Sequence, residues 1–547
     1  MATVLGLNAV FHDPSAALVV DGRVVAAAEE ERFSRRKHGK RPVPFATWEL
    51  PDQAIRWCLA TAGLTIRDLD AVAYSYDPHR MPAPTGDPTR DQWEELRTLY
   101  ALRTSQFLRT TLDTTDPVPV TFVPHHEAHA ASAYLAAGYD DCAVLVVDGR
   151  GETTSSLAGW VQDGELKTLA SSSLPNSLGL LYEELTDHLG FLRSSDEYKV
   201  MALASYGSPT HLEILRRLVR FDGAGGFVTE APDWSALSPP VGVGGIDPRT
   251  ADLASSVQTR LEEVLLDLAR WLAETTGASR LAMAGGVALN CVANSRLYRE
   301  GPFEEIWVQP AAGDAGTSLG AAYWVAHRLG DAIQPMASAA LGRAWTNAEI
   351  LDVLEDVEVP YEEPTDIAAA VAEIVAEDGV VGWFQGRAEF GPRALGQRSL
   401  LAHPGQAANT DRLNRIKGRE RFRPIAPLVT IERAPEVFRG GPIPSPFMLF
   451  THEVAPVWRD RIPAVVHVDG TARIQTVDAD DLPLLHRCLS AFEARTGIPM
   501  MVNTSFNIAG QPIVDHPRQA LECLAASALD AVALGPYLVR RRGMLGP

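Results

Sequence analysis

Residues 142–170 read CAVLVVDGRGETTSSLAGWVQDGELKTLA, and this stretch decides the fold. An apolar run ends at Asp148, and a polar corner rich in glycine and hydroxyl residues follows it. Two further apolar runs are then separated by the turn Asp163-Gly164. Apolar runs joined by an Asp-Gly turn are typical of a β-hairpin. We therefore predict a strand, a polar corner and a hairpin in this order.

The same pattern opens the chain. Residues 4–28 read VLGLNAVFHDPSAALVVDGRVVAAA, with an apolar run, a polar corner from Phe11 to Ser15 and an Asp-Gly turn at Asp21. A pattern that opens two consecutive segments indicates an internal duplication. Two similar α/β halves would place both polar corners in one cleft. Because Asp-Gly hairpins are common, two unrelated hairpins are the alternative.

Length and composition set the broad class of protein. The chain has 547 residues, of which 46% are hydrophobic and 22% are charged, so we expect a globular protein of two or three domains. We expect no membrane span, because no apolar run approaches the roughly 20 residues that a span requires. The N-terminus lacks the basic start of a signal peptide. Five scattered cysteines fit a reducing compartment. These features predict a cytoplasmic location.

The net charge of −20 bears on the partners. Proteins that hold nucleic acid usually carry a basic surface, so this balance argues against a nucleic-acid partner. Small anionic substrates stay possible, since a few arginines can dominate the field inside a cleft.

Patterning along the chain suggests where domains begin and end. Residues 251–277 have the apolar spacing of an amphipathic helix, and residues 281–284 read as a short strand before paired glycines. The composition changes between residues 331 and 364, where a capped helix is followed by prolines. We therefore predict a first domain over residues 1–340 and a second α/β domain over residues 365–547.

The segment His125-His126-Glu127-Ala128-His129 is a candidate metal site. On a helix, His125 and His129 lie one turn apart and share a face, so both imidazoles can reach one ion. The third ligand should be a carboxylate, and Asp314 is the candidate because small residues flank it. Two histidines and one carboxylate suit non-haem iron or a similar divalent ion. The alternatives are a helix start with solvated histidines and an aspartate that only caps a helix.

Glycine-rich corners are candidate nucleotide sites. Glycines after Asp148 let the backbone approach phosphate closely, and Asp148 can bind a metal or its water. Gly285-Gly286 before a helix fits an adenosine or ribose-phosphate site. Plain tight turns are the alternative in each case. The predicted nucleotide-binding residues are Asp148, Gly149, Gly151, Gly285, Gly286, Asn290 and Gly313.

The C-terminal part is locally basic. Residues 386–399 hold three arginines among glycines, and residues 414–424 form a dense cationic run that ends at Pro424. In an acidic protein such clusters indicate an anion site, because arginine binds phosphate oxygens in pairs. A solvated helical face is the alternative, which Pro424 weakens. Residues 503–507, after an apolar strand over 498–502, can hydrogen-bond a small planar group.

Taken together and in order, these motifs resemble the antibiotic-biosynthesis and nodulation carbamoyltransferases. The resemblance covers nearly the whole chain. It implies a duplicated actin-like ATPase (Kae1-like) domain of the kind found in tRNA threonylcarbamoyl transferases. A YrdC-like α+β domain that activates carbamoyl phosphate would follow it. Residues 77–116 and 221–248 match no motif, and acceptor selectivity is expected there.

The resemblance also implies an activity and its residues. Such enzymes use carbamoyl phosphate and ATP with Mg²⁺, form an enclosed carbamoyl-adenylate and carbamoylate a hydroxyl of a small-molecule acceptor. Position by position, the carbamoyl-phosphate site corresponds to Arg393, Lys417, Arg423, Arg473, Asn503 and Ser505, and the Fe²⁺ ligands to His125, His129 and Asp314, with Asp148 nearby or bound. The catalytic residues correspond to His12, Lys417 and Arg423. His12 is expected at the acceptor end of the cleft, either as a proton acceptor or only as a hydrogen-bond partner of phosphate.

Three other functions compete with this interpretation. An actin-fold small-molecule kinase would share the repeated corners but has no use for the arginine-rich C-terminal part. A tRNA-modifying enzyme conflicts with the acidic charge. A nucleotide-dependent binding module would need an apolar peptide-binding domain. The acceptor is not encoded in any recognisable motif, and the oligomeric state stays open, with a homodimer as one option.

Overall fold

The structure, a computed structural model, describes residues 2–39, 50–80, 86, 88–116, 118–240 and 246–541. It divides into two units, Met1–Ala337 and Ser338–Pro547. The segment over residues 341–364, which the sequence leaves between the predicted domains, belongs to the second unit. Parts of the two segments expected to select the acceptor, residues 81–85, 87 and 241–245, lie outside the described residues.

The first half of the first unit is built on a five-stranded sheet. Its strands are β1 Thr3–Asn8, β2 Ser15–Val20, β3 Arg23–Glu29, β4 Ala71–Tyr74 and β5 Val120–Phe122. Its helices are α1 Glu31–Ser34, α2 Asp52–Thr61, α3 Pro88–Leu102, α4 Thr104–Thr111 and α5 His125–Ala137. The strand order is β3-β2-β1-β4-β5, in which β1, β2 and β3 pair antiparallel while β1, β4 and β5 run parallel.

The second half of this unit contains another five-stranded sheet and a two-stranded ribbon. Its strands are β6 Cys142–Val147, β7 Ser156–Gln162, β8 Glu165–Ala170, β9 Val219–Phe221, β10 Phe227–Thr229, β11 Arg280–Ala284 and β12 Glu305–Val308. Its helices are α6 Leu178–His188, α7 Glu197–Ala204, α8 Leu212–Leu218, α9 Trp234–Leu237, α10 Pro248–Thr276, α11 Cys291–Glu300 and α12 Ala315–Arg328. Here the sheet order is β12-β11-β6-β7-β8, with β6, β7 and β8 antiparallel and β6, β11 and β12 parallel.

The two halves are copies of one topology. Both sheets place the first strand between the hairpin and two parallel strands, and both hairpins carry a register shift, at Leu18/Val19 and at Ala158/Gly159. The duplication expected from the repeated Asp-Gly hairpins is therefore confirmed. Two such sheets in tandem form a duplicated actin-like α/β domain, which confirms the predicted fold class for this unit.

Helices α5 and α12, the last helix of each half, pack directly on one another. A Cβ atom added at Gly320 of α12 would lie 1.8 Å from the carbonyl oxygen of Ala128 in α5. The absence of a side chain at Gly320 thus lets the two backbones touch. This close approach brings the N-terminus of α5 near the N-terminus of α12, which is where the candidate metal ligands lie.

The second unit is an α+β domain around a seven-stranded mixed sheet and a small three-stranded sheet. Its strands are β13 Val381–Phe384, β14 Arg398–Ala402, β15 Ala426–Thr430, β16 Phe438–Arg439, β17 His452–Val454, β18 Thr471–Ala472, β19 Gln475–Val477, β20 Met500–Ser505, β21 Ala531–Leu534 and β22 Tyr537–Arg540. Its helices are α13 Asn347–Asp356, α14 Ile367–Ala376, α15 Ala408–Ile416, α16 Ala434–Val437, α17 Pro456–Arg459, α18 Pro483–Thr496 and α19 Pro517–Ala526. The large sheet has the order β19-β15-β20-β14-β13-β21-β22, and buried side chains such as Trp383 and Phe492 form its core.

One strand predicted in this unit has different bounds. The strand expected over residues 498–502 begins two residues later, at Met500, and continues through Asn503 to Ser505. These residues pair with Leu401 and Ser399 of β14, so the ladder continues although the sequence turns polar. Two polar side chains on a buried strand indicate that one face of β20 serves a polar site.

Candidate functional site

The two histidines of the predicted metal site lie in the first turns of α5. Nearly every residue of this helix is buried, and the side chains of His125 and His129 are fully buried. Their ring centroids lie 4.7 Å apart with the ring planes at 87°. The alternative of solvated histidines at a helix start is therefore wrong.

Two carboxylates from the second half approach these imidazoles. Asp148 follows β6 and Asp314 precedes α12, and both are buried. The Nε2 atom of His125 lies 3.5 Å from Asp148 Oδ2 and 3.6 Å from Asp314 Oδ1. The Nε2 atom of His129 lies 3.8 Å and 3.5 Å from the same two oxygens. We call these four side chains the His/Asp cage.

The cage has the properties of a metal site. Within the described part of the chain, the Nε2 atoms of His125 and His129 have no hydrogen-bond partner although both are buried. Their distances to the carboxylates exceed ordinary hydrogen bonds. Ligand atoms about 2.1 Å from one tetrahedral ion would lie about 3.4 Å apart, close to the separations observed. The donor set therefore fits a divalent ion that accepts imidazole and carboxylate.

Hydrogen bonds outside the cage orient its ligands. The Nδ1 atom of His125 lies 3.1 Å from the carbonyl oxygen of Ser75, which can only accept, so Nδ1 carries a proton and Nε2 is the ring atom that faces the carboxylates. Asp148 is fixed through its other oxygen, because Oδ1 accepts a hydrogen bond of 2.8 Å from the backbone N–H of Gly286. Such outer partners preset ligand direction.

The electrostatics keep both carboxylates ionised. Burial by itself would raise the pKa of Asp148, but the contact with His125 and the charge of His129 lower it. Burial and the charge of Asp148 raise the pKa of Asp314, and contacts with the two histidines outweigh them and lower it. Charged carboxylates are the form that a cation binds.

His126, between the two ligand candidates, is not part of the cage. Its Nδ1 atom lies 2.8 Å from the hydroxyl of Thr154. Burial, followed by the charge of His125, lowers the pKa of His126 to about 3, so this ring is neutral. Gly151 leaves room for it, since a Cβ atom there would lie 2.8 Å from the His126 ring.

The predicted nucleotide residues surround Asp148. Gly285 has φ +91° and packs so closely that a Cβ atom would lie 2.3 Å from the carbonyl oxygen of Val147. Its N–H donates to the carbonyl of Ala312, which is next to Gly313. The loops after β6, β11 and β12 thus meet at one edge of the second sheet.

Asn290 has a structural task in this region. Its side chain caps α11 and exchanges hydrogen bonds of 2.8 and 3.1 Å with Gln258. Gly149 lies on the same corner as Asp148, where a Cβ atom would approach Glu183 to 3.3 Å. The structure therefore places the predicted nucleotide residues in one region. The side-chain amide of Asn290, however, is used in hydrogen bonds that stabilise the fold.

Both polar corners of the duplicated hairpins reach His125. Asp148 of the second corner approaches it as described, and the ring of Phe11 from the first corner lies 5.1 Å from its ring at 80°. Next to Phe11, His12 lies with Nδ1 2.8 Å from Oδ2 of Asp13. The sequence singled out His12 but neither Asp13 nor its other partner, His38, because no spacing pattern connects residues from separate loops.

In the second unit, Lys417 is the centre of a buried polar cluster. It follows α15, its side chain is buried, and Nζ lies 2.9 Å from the Ser505 hydroxyl. Nζ also donates to the side-chain oxygen of Asn507. A solvated helical face, the alternative for this cationic run, is therefore wrong for Lys417.

Asn503 shares a face of β20 with Ser505, since alternate residues of a strand point to one side. Its Nδ2 donates to the carbonyl of Ala394 at 3.0 Å and to the side chain of Gln475 at 2.9 Å. Ala394 is adjacent to Arg393, and Gln475 lies two residues after Arg473. The Nε atom of Arg473 is buried without a hydrogen-bond partner among the described residues.

The remaining predicted residue of this site is Arg423. Its guanidinium lies 3.7 Å from Glu420, and its carbonyl accepts from the side chain of Asn414 at 3.1 Å. The loop that carries Arg423 is thereby tied to the end of α15, just before Lys417.

Comparison with known proteins decides the family. A family model described as "Carbamoyltransferase N-terminus" matches residues 3–82 and 91–323, and one described as "Carbamoyltransferase C-terminus" matches residues 372–541. The chain belongs to the carbamoyltransferase family. The resemblance proposed from the motifs is thus confirmed, and so is an enzyme of the transferase class.

Relatives of this carbamoyltransferase extend over nearly its whole length. The uncharacterized protein sll1178 of Synechocystis sp. is 37% identical over 617 residues, which cover 99% of this chain and 97% of that protein. Nodulation protein NolNO of Sinorhizobium fredii is 37% identical over 564 residues, covering 98% and 80%. HypF of T. kodakarensis resembles it with a TM-score of 0.33 and 15% identity over 60% of this chain and 48% of that chain, which is too distant for further conclusions.

In the part of the chain that the structure describes, no helix combines the length and the apolar content that a bilayer crossing requires.

Proposed function

We propose that this carbamoyltransferase uses carbamoyl phosphate and ATP to form an enclosed carbamoyl-adenylate. It then transfers the carbamoyl group to a hydroxyl, that of a sugar or polyol, on a secondary metabolite. The observation that carries this proposal is the burial of Lys417 among hydroxyl and amide oxygens in an arginine-rich segment. A closed cationic pocket stabilises a small anion best where water is excluded.

The first half-reaction is assigned to the second unit. Water hydrolyses carbamoyl phosphate to carbamate and inorganic phosphate. A carbamate oxygen then bonds to the α-phosphorus of ATP, the bond from that phosphorus to the oxygen bridging to the β-phosphorus breaks, and carbamoyl-AMP and pyrophosphate result. Lys417 and Arg423 would neutralise the phosphate as its negative charge develops. The remaining carbamoyl-phosphate ligands would be Arg393, Arg473, Asn503 and Ser505. Mg²⁺ would enter with ATP as part of the co-substrate.

The second half-reaction is assigned to the first unit. The acceptor oxygen bonds to the carbamoyl carbon, the bond from that carbon to the AMP oxygen breaks, and AMP leaves with the electron pair. The glycine-rich corners around Asp148 would hold the nucleotide. His12 would accept the proton of the acceptor hydroxyl, which general-base catalysis requires.

The His/Asp cage would hold a divalent metal ion, for which we propose Fe²⁺ because two imidazoles with carboxylates suit it. Its ligands would be His125, His129, Asp148 and Asp314. When bound, such an ion supplies Lewis-acid polarisation of a phosphate oxygen. The chain's own contribution is the orientation of these four side chains before substrate arrives.

Replacement of Lys417 tests the assignment of the first half-reaction. Lys417→Ala should abolish release of inorganic phosphate from carbamoyl phosphate and leave the metal content unchanged. Lys167→Ala, at an exposed position of β8, is the matched control and should behave as the wild type. Normal phosphate release by Lys417→Ala would show that the anion site lies elsewhere.

The nucleotide products separate the proposal from the kinase alternative. We expect AMP and pyrophosphate in amounts that depend on carbamoyl phosphate, measured by chromatography of the quenched reaction. ADP formed in the absence of carbamoyl phosphate would instead favour a small-molecule kinase. Mass spectrometry of incubations with aminoglycoside, glycopeptide, β-lactam and macrolide-type acceptors should reveal the product that gains a carbamoyl group.

A further inference from the structure

A second cluster of titratable side chains lies beside the His/Asp cage. It consists of His12 and Asp13 from the corner between β1 and β2, His38 from the turn after α1, and Ser195 before α7. The ring centroids of His12 and His38 lie 4.6 Å apart. Three loops distant in sequence therefore meet here, two of them at the carboxylate of Asp13 and the third through His38.

Hydrogen bonds join these four residues into a chain. Oδ2 of Asp13 lies 2.8 Å from Nδ1 of His12, and Oδ1 lies 2.8 Å from Nδ1 of His38. The Nε2 atom of His38 lies 2.8 Å from the hydroxyl of Ser195. These distances are those of hydrogen bonds, unlike the longer separations in the His/Asp cage. The cluster is thus a hydrogen-bonded network.

The carboxylate of Asp13 determines where the protons are. Burial would raise its pKa, but the charges and hydrogen bonds of His12 and His38 hold that pKa well below the usual value. An ionised carboxylate only accepts hydrogen bonds, so each ring must donate from Nδ1. With Nδ1 donating to the carboxylate, Nε2 is the nitrogen through which each ring can accept a proton. For His38 that nitrogen accepts from Ser195.

The backbone holds this arrangement against a conformational cost. Asp13 has φ +43°, His38 has φ +62°, and Ser194 has φ +57°. Non-glycine residues with such angles are uncommon and are retained where the surroundings fix them. Asn8 supplies such support at the first corner, because its Nδ2 donates to the carbonyls of His12 at 2.7 Å and Asp13 at 3.0 Å.

The other two loops are fixed in the same way. Oε2 of Glu31 accepts a 2.7 Å hydrogen bond from the backbone N–H of His38. Oε1 of Glu197 accepts a 2.8 Å hydrogen bond from the backbone N–H of Ser194. All three strained positions are therefore held by side chains, as expected for a preset site.

The network is placed to act on the reaction. Phe11 packs its ring against the ring of His125, a member of the His/Asp cage, and His12 follows Phe11 in the sequence. The side chain of His12 keeps 31% of its surface exposed, so a substrate can reach it. The hydrogen-bond chain runs from His12 through Asp13 and His38 to Ser195.

We propose that Asp13 is a positioning residue that holds His12 with Nε2 as the proton acceptor for the acceptor hydroxyl. This inference rests on the proposed transfer reaction. The proton moves from the hydroxyl oxygen to Nε2 of His12, the oxygen bonds to the carbamoyl carbon, and AMP departs. The imidazolium formed at His12 is stabilised by the carboxylate of Asp13. His38 and Ser195 are positioning residues that hold the second oxygen of Asp13.

The tautomers test the proposal without any knowledge of the acceptor. In full-length protein labelled with ¹⁵N-histidine, long-range ¹H–¹⁵N spectra should show His12 and His38 protonated at Nδ1, assigned with His12→Asn and His38→Asn. Asp13→Asn should shift His12 towards the Nε2–H form. Asn tolerates the left-handed backbone of this position. A wild-type His12 protonated at Nε2 would overturn the proposal.

Kinetics with an acceptor identified by its carbamoylated product provide the second readout. Asp13→Asn should lower kcat for transfer by about 100-fold, within the range of a general base, while the acceptor KM changes little. Ser195→Ala should lower kcat by about fivefold, the effect expected from the loss of one hydrogen bond. Asp163→Asn, at φ +51° in the β7–β8 turn, is the control and should leave kcat unchanged.

The same measurements distinguish a failure of the positioning role of Asp13 from a failure of the proposed function. If wild-type protein forms carbamoyl-adenylate and Asp13→Asn transfers at the normal rate, the positioning role is wrong while the proposed function stands. If wild-type protein forms no AMP from carbamoyl phosphate and ATP, the proposed function is wrong, and the tautomers still decide whether Asp13 fixes His12.

Discussion

Glu152 holds a metal ligand candidate by its backbone. Its Oε1 atom accepts hydrogen bonds from the N–H groups of His125 at 2.9 Å and Asp77 at 2.8 Å. It is buried, so the first turn of α5 is fixed by a side chain from the corner after β6. A residue that touches no metal can therefore determine the direction of a ligand.

We expect Glu152→Ala to weaken metal binding by about 10- to 100-fold, as for other outer-shell substitutions. The measurement is an anaerobic Fe²⁺ titration in competition with a chromophoric chelator. The double variant His129→Ala with Asp314→Asn removes two cage ligands and should contain no metal by elemental analysis, which gives the zero point.

Glu127→Ala is the matched control for this series. Glu127 lies on the same helix, but its side chain pairs with Arg80 at 3.3 Å outside the cage. It should bind metal as the wild type does. Wild-type affinity in Glu152→Ala, or full metal content in the double variant, would contradict the assigned site.

At the scale of the elements, the crossing of α5 and α12 leaves no space for a side chain at Gly320. A methyl group at Gly320 would lie 1.8 Å from the carbonyl oxygen of Ala128 and 2.8 Å from the backbone nitrogen of Ser132. Backbone cannot move aside as a flexible side chain can. Gly320→Ala should therefore lower the free energy of unfolding by about 1–3 kcal/mol, the cost of overpacking.

Chemical denaturation measures this loss, and elemental analysis should show a lower metal content because the crossing aligns the ligands. Gly313→Ala is the control for stability, since the nearest atom to its Cβ would be Leu289 Cδ1 at 3.7 Å. Equal stability of the Gly320→Ala and Gly313→Ala variants would mean that the helices are not in close contact.

The elements also show what the sequence could and could not predict. The hairpins were predictable because Asp21 and Asp163 precede glycines in tight turns, and the pair His125 and His129 because helical spacing is local. The end of β20 was not predictable, because polar Asn503 and Ser505 stay in the strand through pairing with a distant one.

The hydrogen-bonded network around Asp13 could not be predicted from the sequence, for another reason. Asp13, His38 and Ser195 meet only through the tertiary fold, and no periodicity connects them. Their backbone angles are also unusual for non-glycine residues, so local preference did not suggest them. Similarly, Asp314 could be proposed as a ligand, but its distance to His129 is a property of the folded chain.

For the whole molecule, the separation of cores leads to a further prediction. The large apolar cluster of the second unit runs from Ile350 to Val539 and contains no residue of the first unit. A chain over residues 338–547 should therefore fold alone, with a cooperative unfolding transition monitored by circular dichroism. A fragment that begins at residue 365 lacks α13, including buried Ile350 and Leu354, and should be less stable.

The comparison of the two fragments carries its own control. Both contain the complete seven-stranded sheet, so only the contribution of residues 338–364 differs. If the shorter fragment were equally stable, α13 would not belong to this core. If neither fragment folded, the second unit would depend on the first for its stability.

The His/Asp cage takes its histidines from one copy of the duplicated fold and its aspartates from the other. A bound ion would therefore be a cross-link between the two repeats. Proteins built from two facing lobes commonly open and close about a hinge. Here a bound ion would add to the contacts between the repeats that α5 and α12 already provide. Limited proteolysis would then proceed faster after chelation, and the enzyme's working life would be set by how firmly it retains its metal.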